Sequence, residues 1–141
     1  MKKKVLVFTG SRADYGILKN LIMKLKLAFN IEICASGNHF TSKFGYTYKE
    51  ILRDKNSIKY KSLIRTKFYD NFSLLKFMSK SLWEYSDFIN KSRCDLVIIL
   101  GDRYEAFIFA IASFFLKKKI IHMHGGEVTN GSFDDSLRHS I

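Results

Sequence analysis

His122-Met123-His124-Gly125-Gly126-Glu127 places two imidazoles, a flexible glycine pair and a carboxylate within six residues. On a strand, residues two apart project to the same face, so His122 and His124 would share one. Together with Glu127 they have the ligand types of a metal site, but no third ligand at convincing spacing accompanies them. Imidazoles serve equally well as hydrogen-bonding and proton-shuttling groups, which suits His124 to the active site and leaves His122 either beside the substrate or in a supporting position. Asp102 follows five apolar residues and a glycine. A carboxylate there sits partly desolvated at the mouth of a sheet, fit for proton transfer, although it could simply cap the next helix. Gly10-Ser11-Arg12-Ala13-Asp14-Tyr15-Gly16 reads as a strand-to-helix turn. Free amides at a helix N-terminus beside an arginine form a phosphate or carboxylate site, unless Arg12 and Asp14 only pair and cap the helix. The segment is neither GxGxxG nor GxxxxGK[ST], so the familiar dinucleotide and P-loop readings fail.

These residues need a scaffold that brings them together, and the hydrophobic periodicity supplies one. Short β-branched runs at 4–9, 31–36, 58–63, 94–100 and 120–124 alternate with helical spacing at 14–28, 43–54, 70–92, 104–116 and 134–141. That alternation predicts an α/β fold, a Rossmann-like doubly wound parallel sheet covered by helices. The first helix would bury Ile17, Leu18, Leu21, Ile22 and Leu25; the second, Phe44, Tyr48, Ile51 and Leu52. The long third helix carries an aromatic stripe with Phe72, Leu75 and Trp83 that reads as packing. The run 58–63 alternates lysine with apolar residues, as an edge strand does, whereas 94–100 is apolar but for Asp95 near its start and therefore reads as central. The helix 104–116 is apolar nearly all round and is expected to be covered on two sides. Loops after parallel strands share one edge, where ligands bind. Gly10 to Gly16, Gly37-Asn38-His39, Gly101-Asp102-Arg103 and His122 to Glu127 all fall on that edge.

The bulk properties narrow the function classes. A chain of 141 residues with 47% hydrophobic content forms one domain, here 1–141. Every apolar run is interrupted by charge well short of the roughly 18 residues a membrane span needs, and no signal-peptide core follows Met1, so a cytoplasmic protein with no membrane partner is expected. The net charge of +11, from 24 Lys and Arg against 13 Asp and Glu, raises the question of nucleic acid. The lysines are scattered, however, as on a solvated basic surface or one meeting a phosphate-bearing substrate, and no nucleic-acid groove is expected. Cys34 and Cys94 lie far apart in apolar runs and read as buried thiols. The helix 134–141 would expose Leu137 and Ile141 without a following element, which reads as part of a longer protein.

The loop residues, with Phe44-Gly45-Tyr46-Thr47-Tyr48, the HGGE segment and Asp134-Asp135-Ser136-Leu137-Arg138-His139, resemble the hydrolysing UDP-N-acetylglucosamine 2-epimerases of sialic-acid-type synthesis along the entire chain. That resemblance implies the N-terminal half of a two-domain, GT-B-like enzyme, inactive without its other half and homo-oligomeric at full length. It implies a reaction using neither metal nor nicotinamide cofactor. A base takes the C2 proton of a UDP-sugar, UDP leaves from C1, and water adds to the glycal. Asp102 is then the first choice for acid/base work, with His124, Glu127 and Asp134 in partner roles. Arg12 and Asp14 would face the nucleotide-sugar, His39 and Arg138 would line the cleft, and Arg103 and His122 complete the substrate-binding set. In related non-hydrolysing epimerases, and in some hydrolysing ones, the His124 position is a glutamate, so His124 could serve as the base, orient Asp102, or leave the task to Glu127. Whether the sugar carries a 4-hydroxyl or a 4-acetamido group is not encoded in these residues. A non-catalytic nucleotide-sugar-binding domain and a glycosyltransferase domain on the same scaffold are the competing readings.

Overall fold

The computed structural model of the protein describes residues 2–61, 70–128 and 133–141, the side chains of Phe133 and Asp134 excepted. Five strands, β1 (Lys4–Thr9), β2 (Asn30–Ala35), β3 (Ile58–Lys61), β4 (Leu96–Leu100) and β5 (Lys119–Met123), alternate with five α-helices. These are α1 (Arg12–Leu25), α2 (Tyr48–Arg53), α3 (Asn71–Ser92), α4 (Tyr104–Phe115) and α5 (Phe133–Ser140). The sheet runs β3-β2-β1-β4-β5 with every neighbouring pair parallel, so the expected doubly wound α/β sheet is present. The winding reverses between β1 and β4. At such a reversal the following loops diverge to opposite faces and open a crevice, which lies here between Gly10 and the turn at Gly101.

Strand periodicity divides the core in two. Leu6 and Phe8 of β1 face α3 and α4 together with Val97, Ile99, Tyr85 and Phe109, whereas Val5 and Val7 face α1 and α2 together with Ile33, Ile98, Leu18, Ile22 and Ile51. Each of these side chains is buried, contributing about 1.5–3 kcal/mol apiece before the entropy of ordering the chain is set against it. Phe8 packs its ring 4.8 Å from Phe109 and 5.8 Å from Tyr85, joining strand and helices at the centre. Cys34 and Cys94 are free and buried, as expected. Among the described residues, no helix is long and apolar enough to cross a membrane.

Several boundaries and faces differ from the sequence reading. Ser11 caps α1 by accepting from the Asp14 amide, so the helix starts at Arg12 and not at Asp14, and Ile17 lies outside its inner stripe, exposed. The expected helix 43–54 is broken: Ser42–Phe44 forms a single 3-10 turn, and Gly45 and Tyr46 both take positive φ, 75° and 52°, which no right-handed helix accommodates. Only Ile51 of its predicted inner face is fully buried; Phe44 and Leu52 are exposed. β4 begins at Leu96, because Arg93 closes α3 in the left-handed region and Asp95 accepts from the Lys4 amide. β3 is at the sheet edge as expected, and residues 62–63 of that prediction lie outside the described residues. On α3, Phe77, Tyr85 and Ile89 face the core, but Phe72, Leu75 and Trp83 point outward, Trp83 with 77% exposure, so the reading of Trp83 as packing is corrected. α4 is covered along most of its length, while Phe114 and Phe115 at its C-terminal end are exposed.

Candidate active site

At the end of β1 the helix N-terminus is closed by its own residues. Asp14 Oδ2 accepts from the Gly10 amide at 3.1 Å, and Ser11 Oγ accepts from the Asp14 amide at 3.3 Å. Arg12 does not pair with Asp14; its Nε contacts Glu50 Oε1 of α2 at 2.9 Å. The amides expected to receive an anion are therefore partly occupied by a carboxylate, and Arg12 is turned to the α1–α2 side. A groove of about 400 Å³ there is lined by Arg12, Tyr15, Lys19, Glu50, Arg53 and Asp54. Its charges are largely satisfied by one another, Lys19 meeting Asp54 at 2.9 Å, so volume alone does not make it the reactive centre.

His39, expected to line the cleft, is fully buried instead. The Thr9 hydroxyl donates to the Ser11 carbonyl at 3.2 Å, so His39 Nε2 must donate to Thr9 Oγ1, at 2.9 Å. Nδ1 is then left to accept from the Thr47 hydroxyl, also at 2.9 Å. Burial, reinforced by the nearby charge of Arg103, lowers the His39 pKa to about 4, so the ring is a neutral tie between the β1 and β2 ends.

The residues expected to do acid/base work gather after β4 and β5. Gly101 takes φ +74°, and its carbonyl accepts from His122 Nε2 at 2.6 Å. A left-handed turn of this kind suits glycine and delivers Asp102 beyond the strand end. His122 therefore supports the Asp102 turn from the neighbouring strand. Its ring also fills the space beside Gly125, where a Cβ would lie 2.5 Å from Nδ1. β5 ends at Met123 and His124 has φ +60°, so the two histidines do not share a strand face as the HxH spacing predicted. His124 Nδ1 instead meets Glu127 Oε1 at 2.7 Å, with both side chains open to solvent. Among the described residues, no group of three or more His, Cys, Asp and Glu side chains is gathered to hold a metal ion.

Arg138 ties these loops together. Its guanidinium pairs with the Asp102 carboxylate through Nη2, donates from Nη1 to the Glu127 carbonyl at 2.8 Å, and contacts Asp135 Oδ1 at 3.1 Å. Its side chain is only 10% exposed, and the Asp102 hydrogen bond raises its pKa further above an already high value, so it is a fixed cation. One arginine of α5 thus joins the β4 loop to the β5 loop, with the Asp102 carboxylate on one side and the His124–Glu127 pair on the other. Asp134 lies in α5, with its side chain outside the described residues.

Sequence reasoning overlooked three residues. Asp135 was passed over for Asp134, although its three-residue spacing from Arg138 on a helix is the usual ion-pair signal. Glu50, the partner of Arg12, carries no signal across 38 residues of sequence. Glu105 is buried at the start of α4, where a carboxylate inside the apolar stretch Tyr104–Phe115 was a legible anomaly.

Comparison with known proteins places this arrangement in a family. The family model described as UDP-N-acetylglucosamine 2-epimerase matches residues 23–141. The chain is 37% identical, over 99% of its own length and 37% of the relative's, to the GDP/UDP-N,N'-diacetylbacillosamine 2-epimerase (hydrolyzing) of Campylobacter jejuni. It is 32% identical, over 100% of its length and 38% of the relative's, to the UDP-N,N'-diacetylbacillosamine 2-epimerase (hydrolyzing) of Legionella pneumophila. The fold matches the Neisseria meningitidis UDP-GlcNAc 2-epimerase solved bound to UDP-GlcNAc, with a TM-score of 0.80 at 18% identity, covering 97% of this chain and 37% of that one. The chain thus spans under two fifths of the length of these relatives. With the β4 and β5 loops held by Arg138 on a sheet of this topology, and a family match running to the last residue, the chain belongs to the UDP-N-acetylglucosamine 2-epimerase family.

Proposed function

We propose that this chain forms the N-terminal Rossmann-like domain of a two-domain, GT-B-like hydrolysing 2-epimerase, acting on UDP-N-acetylglucosamine or UDP-N,N'-diacetylbacillosamine. The observation that carries the reading is the Arg138 junction, which sets Asp102 beside the His124–Glu127 pair on the edge where a doubly wound sheet binds its ligand. Asp102 and the His124–Glu127 pair divide the proton transfers. One removes the C2 proton, the C1–O bond breaks with departure of UDP, and water adds across the resulting glycal to give the free 2-epimer. A base opposed by an acid on the other face of the sugar is what inversion at C2 requires, and Asp134 is a further candidate for the partner role. Arg103, with Asp14 at the β1 end, faces the nucleotide-sugar, Arg12 is turned away to Glu50, and Arg138 and His122 hold the reactive loops.

The chemistry runs entirely on side chains and water and needs neither metal nor nicotinamide. A cytoplasmic location follows from the substrate class. The outward apolar residues Phe72, Leu75 and Trp83 of α3 support self-association at full length.

The full-length enzyme is incubated with each UDP-sugar in deuterated water. Release of UDP together with the 2-epimer, deuterium at C2 and no requirement for an acceptor are expected. UDP release only when an acceptor sugar is added would make the protein a glycosyltransferase, and binding without release would make it a binding domain.

A further inference from the structure

Glu105 is the carboxylate that this reaction scheme does not use, and it is the most enclosed charge near the crevice, at 3% exposure. A carboxylate removed from water needs a cation or several donors to offset its lost hydration. The cation is Arg103, two residues earlier, whose Nε lies 3.5 Å from Glu105 Oε2. Two glycines make room for this pair. At Gly10 an added Cβ would lie 3.1 Å from Arg103 Nε. At Gly37, which takes φ +60°, it would lie 2.6 Å from Glu105 Oε1 and 2.9 Å from the Gly10 carbonyl. The ends of β1, β2 and β4 therefore interlock around a single buried ion pair, and the Asn38 amide donates to that same Gly10 carbonyl at 2.9 Å. Arg103 Nε is shut off from solvent with no hydrogen-bond partner among the described residues, yet the side chain as a whole is 32% exposed. The enclosed Nε meets Glu105 and lies over Gly10 at the winding reversal, and the exposure belongs to the rest of the side chain. Because Asp14 already occupies the Gly10 amide, the positive charge offered at this point of the crevice comes from Arg103.

We propose that Glu105 is a positioning residue that holds the Arg103 guanidinium across Gly10 to receive the diphosphate of a nucleoside diphosphate or its sugar. This rests on the proposed function above and deepens it. A guanidinium already held in place loses less freedom on binding than a free arginine, so the pair contributes to ground-state affinity and not to the chemical step. The bland alternative is that Glu105 only favours the start of α4 through the helix dipole. That role would change thermal stability and leave UDP affinity untouched.

The test uses the full-length enzyme, with UDP affinity by calorimetry beside steady-state kinetics and melting temperature. Glu105→Gln keeps the shape and removes the charge; it is expected to weaken UDP binding and raise KM by about tenfold with kcat within about threefold, the range for loss of one charge-supported contact. Arg103→Ala should weaken UDP at least as much, and the double variant should be no weaker than Arg103→Ala alone, since the carboxylate acts only through the arginine. A lower melting temperature with unchanged Kd and KM in Glu105→Gln overturns the inference, as does a further loss in the double variant. If Glu105→Gln does not fold, Glu105→Asp decides: a withdrawn carboxylate should weaken UDP by about threefold or more, and unchanged affinity overturns the idea. A parent enzyme that binds UDP but releases none from either sugar sinks the proposed reaction and leaves this comparison intact; one that binds no UDP sinks both.

Discussion

At the scale of single residues, the proposed proton transfers and the support of the loops fall largely to different side chains, and substitution should separate them. Asp102→Asn keeps the shape and leaves an amide oxygen to accept from Arg138 while removing the carboxylate, so UDP release should fall at least about a hundredfold. UDP release near the parent rate would remove Asp102 from the mechanism. Gly125→Ala acts differently, because its Cβ would enter the space of the His122 ring, which itself holds the Gly101 carbonyl. Displacing that ring should cost about 1–3 kcal/mol of stability and lower turnover together, read by urea denaturation and UDP release on the same sample. Gly125→Ala with parental stability would mean that the His122 support is dispensable. The sequence made the importance of Asp102, His122, His124 and Glu127 legible because polar residues beside glycines are unusual at the ends of apolar strands. It concealed that His124 leaves the strand and that His122 reaches across to the β4 loop, since both depend on backbone angles set by the neighbouring strand.

At the scale of elements, the connections between strands and helices carry most of the polar structure. Ser11 caps α1, so Ser11→Ala should cost about 1 kcal/mol, measured by chemical denaturation, and no change would mean that the Asp14–Gly10 contact suffices. His39 gives a pH dependence of definite sign. Its folded pKa of about 4 lies below the ordinary 6.5, so the unfolded chain takes up the proton first as pH falls. Stability from this residue is fully present above pH 6.5 and is lost between there and about 4, amounting to about 3 kcal/mol. A His39→Gln variant should therefore show a flatter decline in urea stability across that window, and parallel pH profiles would contradict the assignment. Periodicity identified every described strand and α-helix, because alternation in strands and three-to-four spacing in helices follow directly from which faces are buried. It misjudged the segment 43–54, where Gly45 and Tyr46 adopt angles that hydrophobic spacing does not encode. It also read Phe72, Leu75 and Trp83 as core, because spacing identifies an apolar face but not what covers it.

At the scale of the whole molecule, the proposed two-domain enzyme would use this sheet as one wall of its cleft. Asp102, the His124–Glu127 pair and Arg103 stand on the edge beside the β1–β4 reversal, while the groove between α1 and α2 is occupied by its own ion pairs. Residues 1–141 on their own should release no UDP from either sugar, whereas the full-length enzyme should; robust turnover by the short chain would refute the need for a second domain. The family was legible in the sequence because its loop segments lie in order on one edge. The Arg12–Glu50 contact was not, because side-chain pairing across elements depends on packing that spacing does not report.

The most direct measurement is the crystal structure of the full-length enzyme with UDP bound. The diphosphate is expected beside Arg103 at the end of β1, with the sugar position opening toward Asp102 and the His124–Glu127 pair. UDP seated at the opposite edge of the sheet, or in the α1–α2 groove with its phosphates remote from Arg103 and Asp102, would contradict the assignment of this edge as the active site.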